Sequence, residues 1–206
     1  MIDRAASRLK TSYLTVLEIG GAYAHRFDEL LAFLHIPYII VTDLDSVHPD
    51  GHHPACRADT AGALTSNATL KHLLGLNSIA ELIAATPQQK TDEERDRYIT
   101  FQKDIVVTDG DDTLTMRPRT LEEAFAYENF PLLRDGTLNL RFAVPAGLDD
   151  AYEAIYDRIK SSSFKKTDFA MDMLSSDTVW KVPEYISDGL RWLETRLHGP
   201  VNDEPA

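Results

Sequence analysis

The feature that most constrains this chain is a short, wholly apolar run, Tyr38-Ile39-Ile40-Val41, that stops abruptly at Thr42-Asp43-Leu44-Asp45. A run of that length and β-branched content predicts a strand buried on both faces, the habit of parallel sheets. What precedes it fits the same frame. Tyr13 to Ile19 is rich in β-branched and aromatic residues and predicts another strand, ended by Gly20-Gly21, where the backbone turns without a Cβ penalty. Between the two, Phe27, Leu30, Leu31 and Leu34 recur at helical spacing and Pro37 closes the helix. Strand, helix, strand predicts a βαβ unit, and with it an α/β, Rossmann-like core around a mostly parallel sheet.

The rest of the chain reads in shorter pieces. Residues 46–68, rich in His, Pro, Gly, Ser and Thr, predict a long loop, and 70–74 and 78–85 predict short helices. Residues 86–97 predict a solvated connection. Residues 98–108 predict a strand entering the turn Asp109-Gly110-Asp111-Asp112, with 113–116 running back antiparallel. Thr120 followed by Glu123 is a capping-box pattern for a helix to about Tyr127. Helices are expected over 149–160 and 166–174, and Pro183 opens a last one with Ile186, Leu190, Leu193 and Leu197 on one face. The expected organisation is a core over 1–146, a C-terminal helical portion over 147–199 packed on it, and a disordered tail over 200–206. No apolar run reaches bilayer-spanning length, no secretory h-region opens the chain, and Cys56 has no cysteine to pair with, so the expected setting is the cytoplasm.

The chemistry gathers at Asp43-Leu44-Asp45. If the strand persists, residues i and i+2 point the same way, so both carboxylates face one site while Leu44 faces the core. Ligands of open α/β sheets collect at the carboxyl ends of strands. Two convergent carboxylates suit a hard divalent cation, Mg²⁺ by default; the alternative is a solvated turn using Asp for local hydrogen bonds. A net charge of −12 excludes a simple basic nucleic-acid binder. A DNA substrate remains compatible if carboxylates converge on metal ions, or if another domain supplies the basic surface.

These residues carry a family resemblance. The run 16–27, the following helix and Ile36 to Asp45 resemble the TOPRIM core of the OLD (overcoming lysogenization defect) family of ATP-dependent DNA nucleases. Arg119-Thr120-Leu121-Glu122-Glu123-Ala124-Phe125 resembles the family's glutamate-bearing helix start, and Lys166-Thr167-Asp168-Phe169-Ala170 its Lys-x-x-Phe-Ala segment, in the family's order. The resemblance implies that Asp43, Asp45 and Glu122 are metal ligands, with Glu123 as the adjacent alternative, and that Lys166 sits at the scissile phosphate. It also implies Mg²⁺ or Mn²⁺, two ions, acting on DNA. A TOPRIM domain begins one strand earlier, with a Gly-flanked Glu, and no such motif precedes residue 13; Glu18 lies on the strand that matches the family's second. No Gly-x-x-x-x-Gly-Lys loop occurs, so the chain holds no ATP site and resembles a piece of the family protein whose ATPase domain is a partner.

Three rival readings stand beside this one. Val106 to Leu114 resembles the Asp-x-Asp-x-Thr motif of haloacid-dehalogenase phosphatases, with Asp109 as nucleophile and Asp111 as acid, although a tight Asp/Gly hairpin turn explains it as well. His48, His52, His53 and Cys56 offer zinc-type ligands, without a second ligand pair at finger-like spacing. Finally, a chain lacking the first glutamate suits a catalytically inactive module that acts in binding or regulation.

Overall fold

The computed structural model describes residues 1–19, 23–138, 141–175 and 178–200. In chain order it opens with α1 (Ile2–Ala5), a 3₁₀ turn at Ser7–Thr11 and another at Ala24–Phe27, then α2 (Asp28–Phe33) and β1 (Tyr38–Val41). A two-stranded antiparallel pair follows, β2 (Ser46–Val47) with β3 (Leu64–Thr65), and then α3 (Ala68–Leu74), α4 (Ile79–Ala84), α5 (Pro87–Lys90) and β4 (Thr91–Asp92). The second half carries β5 (Arg97–Thr100), the hairpin β6 (Ile105–Asp109) and β7 (Asp112–Met116), and, among the described residues, five helices. These are α6 (Leu121–Glu128), α7 (Phe130–Arg134), α8 (Leu148–Lys160), α9 (Lys166–Ser175) and α10 (Glu184–His198).

The sheet is mixed, which corrects the expectation of a mostly parallel one. Its order is β1-β5-β4; β1 runs parallel to β5, and β4 returns antiparallel. The main departure lies in residues 13–19, expected as the first strand of the βαβ unit. They form no strand, and Val16 and Phe33 of the same region are 82% and 76% exposed. A β-rich segment becomes a strand only when another edge accepts its backbone hydrogen bonds, and no strand among the described residues pairs with it. Gly20-Gly21 and the tail from 201 onward fall outside the described residues. The predicted strand 98–108 is in fact two, β5 and β6, which belong to different sheets. Residues 86–97, expected as a plain connection, form α5, capped by Thr86, and β4.

Among the described residues, three apolar clusters hold the chain together. One fills the space between β1, β5, α3 and α4, with Ile40, Leu44, Leu70, Leu82, Ile99 and Phe101. A second joins the hairpin to α6, α8 and α9 through Met116, Phe125, Tyr127, Ile155 and Phe169. In the third, α10 lays Ile186, Leu190 and Leu193 over Leu9 and Ala124. The same helix crosses β1 and β5 so closely that a Cβ on Gly189 would stand 2.9 Å from Thr100 Cγ2, which explains the glycine. A buried ion cluster locks α2 to the sheet: Asp28 accepts from Arg97 at 2.6 Å, Arg95 at 2.9 Å and the Tyr38 hydroxyl at 2.7 Å.

Candidate functional site

The site forms where β1 ends. The ladder carries on one bond past the strand, Thr42 N–H donating to Thr100 carbonyl at 3.0 Å, and then the chain turns. Asp45 has φ of +47°, a left-handed conformation that Asp tolerates better than most residues. Strand parity therefore does not carry from Asp43 to Asp45, which corrects the expectation of a strand continuing through both. Leu44 is fully buried, as that expectation required. The turn is fixed instead by side chains from the next segment. Asn67 donates to Thr42 Oγ1 and to the Asp43 carbonyl, each at 2.7 Å, while its own carbonyl oxygen caps α3. Thr65 Oγ1 donates to the Leu44 carbonyl at 2.7 Å, and Ser66 N–H and Oγ both donate to the Asp45 carbonyl. The Asp45 N–H reaches the Arg119 carbonyl at 3.3 Å, tying this turn to the start of α6.

Glu122 and Glu123 occupy the first turn of α6, and both are buried. The expected capping box does not form: Thr120 makes no side-chain cap bond, and Glu123 accepts the N–H of Arg119, one residue before the cap, at 2.9 Å. Burial pushes the Glu123 carboxyl up to about 8, with Asp43 and Glu122 adding repulsion against the pull of Arg119. Glu122 turns the other way, toward Lys166 at the start of α9, whose Nζ stands 2.9 Å from Glu122 Oε2. The Lys166 side chain is 60% exposed, so the ammonium is free to swing.

Asp43 feels all of this. Burial raises its carboxyl to about 6; the Gln102 amide and Lys166 oppose the rise, while Asp45 and Glu122 reinforce it. Gln102, which donates to Asp43, and Tyr185, which accepts from Gln102, were not singled out from the sequence. Neither carries a motif; a polar residue within the predicted strand 98–108 was the available sign for Gln102. Asn67 was more legible, since Asn before a helix is a strong N-cap signal.

The donor set is all oxygen from carboxylates, with one ammonium, which suits a hard divalent cation and not a soft one. Among the described residues, no three carboxylate, imidazole or thiol groups already stand at the spacing of a bound ion. The same holds for the histidine loop, where His48 Nδ1 pairs with Asp50 at 3.0 Å and His53 Nδ1 contacts the His48 carbonyl. Glu18 is exposed on the extended segment. Asp109 forms the last rung of the β6–β7 hairpin opposite Asp112 and pairs with Arg134, and Asp111 lies in the exposed turn. That hairpin setting is the turn explanation of the segment, not a nucleophile at the end of a parallel strand.

Comparison with known proteins bears on the same residues. The family described as "Overcoming lysogenization defect protein-like, TOPRIM domain" matches residues 1–45, a segment that ends on Asp43-Leu44-Asp45. Endonuclease GajA of Bacillus cereus (strain HuB5-5) is 28% identical over 217 residues, covering 94% of this chain and 29% of that protein. The chain thus spans under a third of that relative's length. No solved structure matches it. Among the described residues no helix is long and apolar enough to cross a membrane. Both matches support the resemblance read from the motifs: this chain carries OLD-like TOPRIM sequence and is similar, along most of its length, to part of an endonuclease.

Proposed function

We propose that this chain is the metal-dependent nuclease portion of a larger DNA-cleaving protein, hydrolysing phosphodiester bonds with two divalent ions, Mg²⁺ or Mn²⁺. The observation that carries the reading is the gathering of four residues from three distant segments: Asp43, Asp45, Glu122 and Lys166 interact electrostatically at one end of β1. Asp43, Asp45 and Glu122 would hold the cations, and Glu122 would exchange Lys166 for one of them. Two bound ions supply an activated water and a stabilised leaving oxygen for in-line displacement.

The chain's own groups do the rest. The turn at 42–45 is held by Asn67, Thr65 and Ser66 largely through its main chain, which leaves the Asp45 carboxylate and one oxygen of Asp43 for a ligand. Lys166, once released from Glu122, places its ammonium against a phosphodiester oxygen and stabilises the charge that develops there. Long-range repulsion of DNA by the net charge of −12 means that the basic surface comes from a partner; the relative's greater length supports a further domain in that role, and the family resemblance makes an ATPase domain the candidate.

Plasmid nicking by the purified chain with Mg²⁺ or Mn²⁺ tests this. Asp43→Ala and Lys166→Ala are each expected to lower the rate by about 10²-fold or more, the cost of removing a group that stabilises transition-state charge. Undiminished cleavage by a folded Asp43→Ala protein would sink the assignment. The competing reading, a binding or regulatory module, draws on the Lys166–Glu122 pair, which satisfies Glu122 without a metal ion. It predicts no nicking by the wild type under any metal condition.

A further inference from the structure

We infer that Gln102 is a positioning residue that presents one oxygen of Asp43 to the bound cation and withholds the other, so biasing the site toward Mg²⁺ over Ca²⁺. This rests on the reading of Asp43 as a metal ligand given above.

Gln102 is completely buried. It lies two residues past β5, and because Val41 pairs with Thr100 in parallel register, Gln102 comes alongside Asp43. Its Oε1 accepts the Leu44 N–H at 2.8 Å. Its Nε2 donates to Asp43 Oδ1 and to the Tyr185 hydroxyl, the latter at 3.2 Å. The amide can adopt only this orientation. Flipped, it would set its carbonyl against a carboxylate and its NH₂ against an N–H, two repulsive contacts in place of two bonds. The side chain of Asp43 is thus oriented from one side by Gln102, while its carbonyl is held separately by Asn67.

The choice of a neutral donor matters. Elsewhere in the chain a buried carboxylate with a structural task, Asp28, is neutralised by Arg97. Asp43 receives an amide instead, so its charge stays available while one oxygen is taken. Mg²⁺ demands near-ideal octahedral geometry and accepts single oxygens from carboxylates, whereas Ca²⁺ tolerates bidentate carboxylates and higher coordination. An Asp43 whose Oδ1 already accepts the Gln102 amide has Oδ2 as its unencumbered oxygen, and binding an ion through both oxygens would weaken or break that hydrogen bond. Tyr185, on α10, takes the second amide hydrogen of Gln102 and so extends the support to the helix that covers β1 and β5.

The test is calorimetric titration of the whole chain with Mg²⁺ and with Ca²⁺, for the wild type and for Asp43→Ala, Gln102→Met and Tyr185→Phe. Methionine keeps the volume of glutamine and removes the donor. Loss of a partner that orients a ligand is expected to weaken Mg²⁺ binding by about 10–100-fold, with a smaller effect on Ca²⁺, so the affinity ratio moves toward Ca²⁺ by about tenfold. Equal weakening of both ions, or no change, would overturn the proposal. If circular dichroism shows Gln102→Met unfolded, Tyr185→Phe decides: a shift of the ratio in the same direction supports the role, and an unchanged ratio overturns it. The Asp43→Ala arm separates the two levels. Metal binding by the wild type that disappears in Asp43→Ala upholds the site, whatever Gln102 does. A wild type that binds neither ion, or an Asp43→Ala protein that binds as well as wild type, removes the site and the role of Gln102 together.

Discussion

Asp43→Asn should stabilise the metal-free protein at neutral pH, although it removes the residue on which the proposed chemistry depends. The Asp43 carboxyl is raised from 3.8 to about 6, chiefly by burial, with Asp45 and Glu122 adding repulsion against Gln102 and Lys166. Between those two values the folded state retains a proton that the unfolded chain has released, so stability falls as pH rises through that window. At about 1.4 kcal/mol per tenfold change in the proton equilibrium, the ionised carboxylate costs about 3 kcal/mol at pH 7. Asparagine removes the charge, and its carbonyl oxygen still accepts the Gln102 amide. For a chain of this size the gain corresponds to a Tm rise of about 6–12 °C. Thermal melts followed by circular dichroism in chelator should show that rise at pH 7 and almost none at pH 3.5, where both forms are neutral. Saturating Mg²⁺ should stabilise the wild type and leave Asp43→Asn unmoved, because only the wild type gains from binding. A folded Asp43→Asn protein no more stable than wild type at pH 7, or equally stabilised at both pH values, would refute the reasoning.

Two further outcomes follow from the fold. Asp28→Asn should cost about 1–3 kcal/mol in urea denaturation, because it removes one of the two carboxylates that pair with buried Arg97 and leaves Asp92, at 3.1 Å, to compensate it. Although burial works against it, the Asp28 carboxyl is held below 3.8 by Arg97, Tyr38 and Arg95, so its contribution is present above the unfolded value and lost as pH falls through the folded one. A loss under about 1 kcal/mol would mean the cluster is not structural. The exposed apolar side chains of residues 13–36, with Tyr13, Val16, Leu30 and Phe33 among them, should drive self-association of the isolated chain at micromolar concentration. Light scattering should report a lower mass for the Leu30→Lys/Phe33→Lys double variant, and a wild type that is monomeric throughout would contradict this.

Much of the chain was legible because its signals are local. The apolar run 38–41 forms β1, the Asp/Gly turn forms the β6–β7 hairpin, and the periodic stretches near the C-terminus form α8, α9 and α10. Each depends on the chemistry of a few adjacent residues, and so did the placement of Asp43 and Asp45 at a strand end. Glu122 and Lys166 came from the family resemblance alone; either residue by itself reads as a solvated or capping charge. What the tertiary structure decided is where partners must come from elsewhere. Residues 13–19 have strand composition yet no ladder, because propensity supplies no edge to pair with. β4 pairs antiparallel to β5 because residues 93–96 are too few for the crossover a parallel pair needs, whereas the parallel pairing of β5 with β1 depends on chain from far away. The Lys166–Glu122 contact spans 44 residues and the Gln102–Asp43 contact 59, and neither spacing repeats with any helix or strand period. Periodicity determines which face a residue occupies, and only packing determines what that face meets.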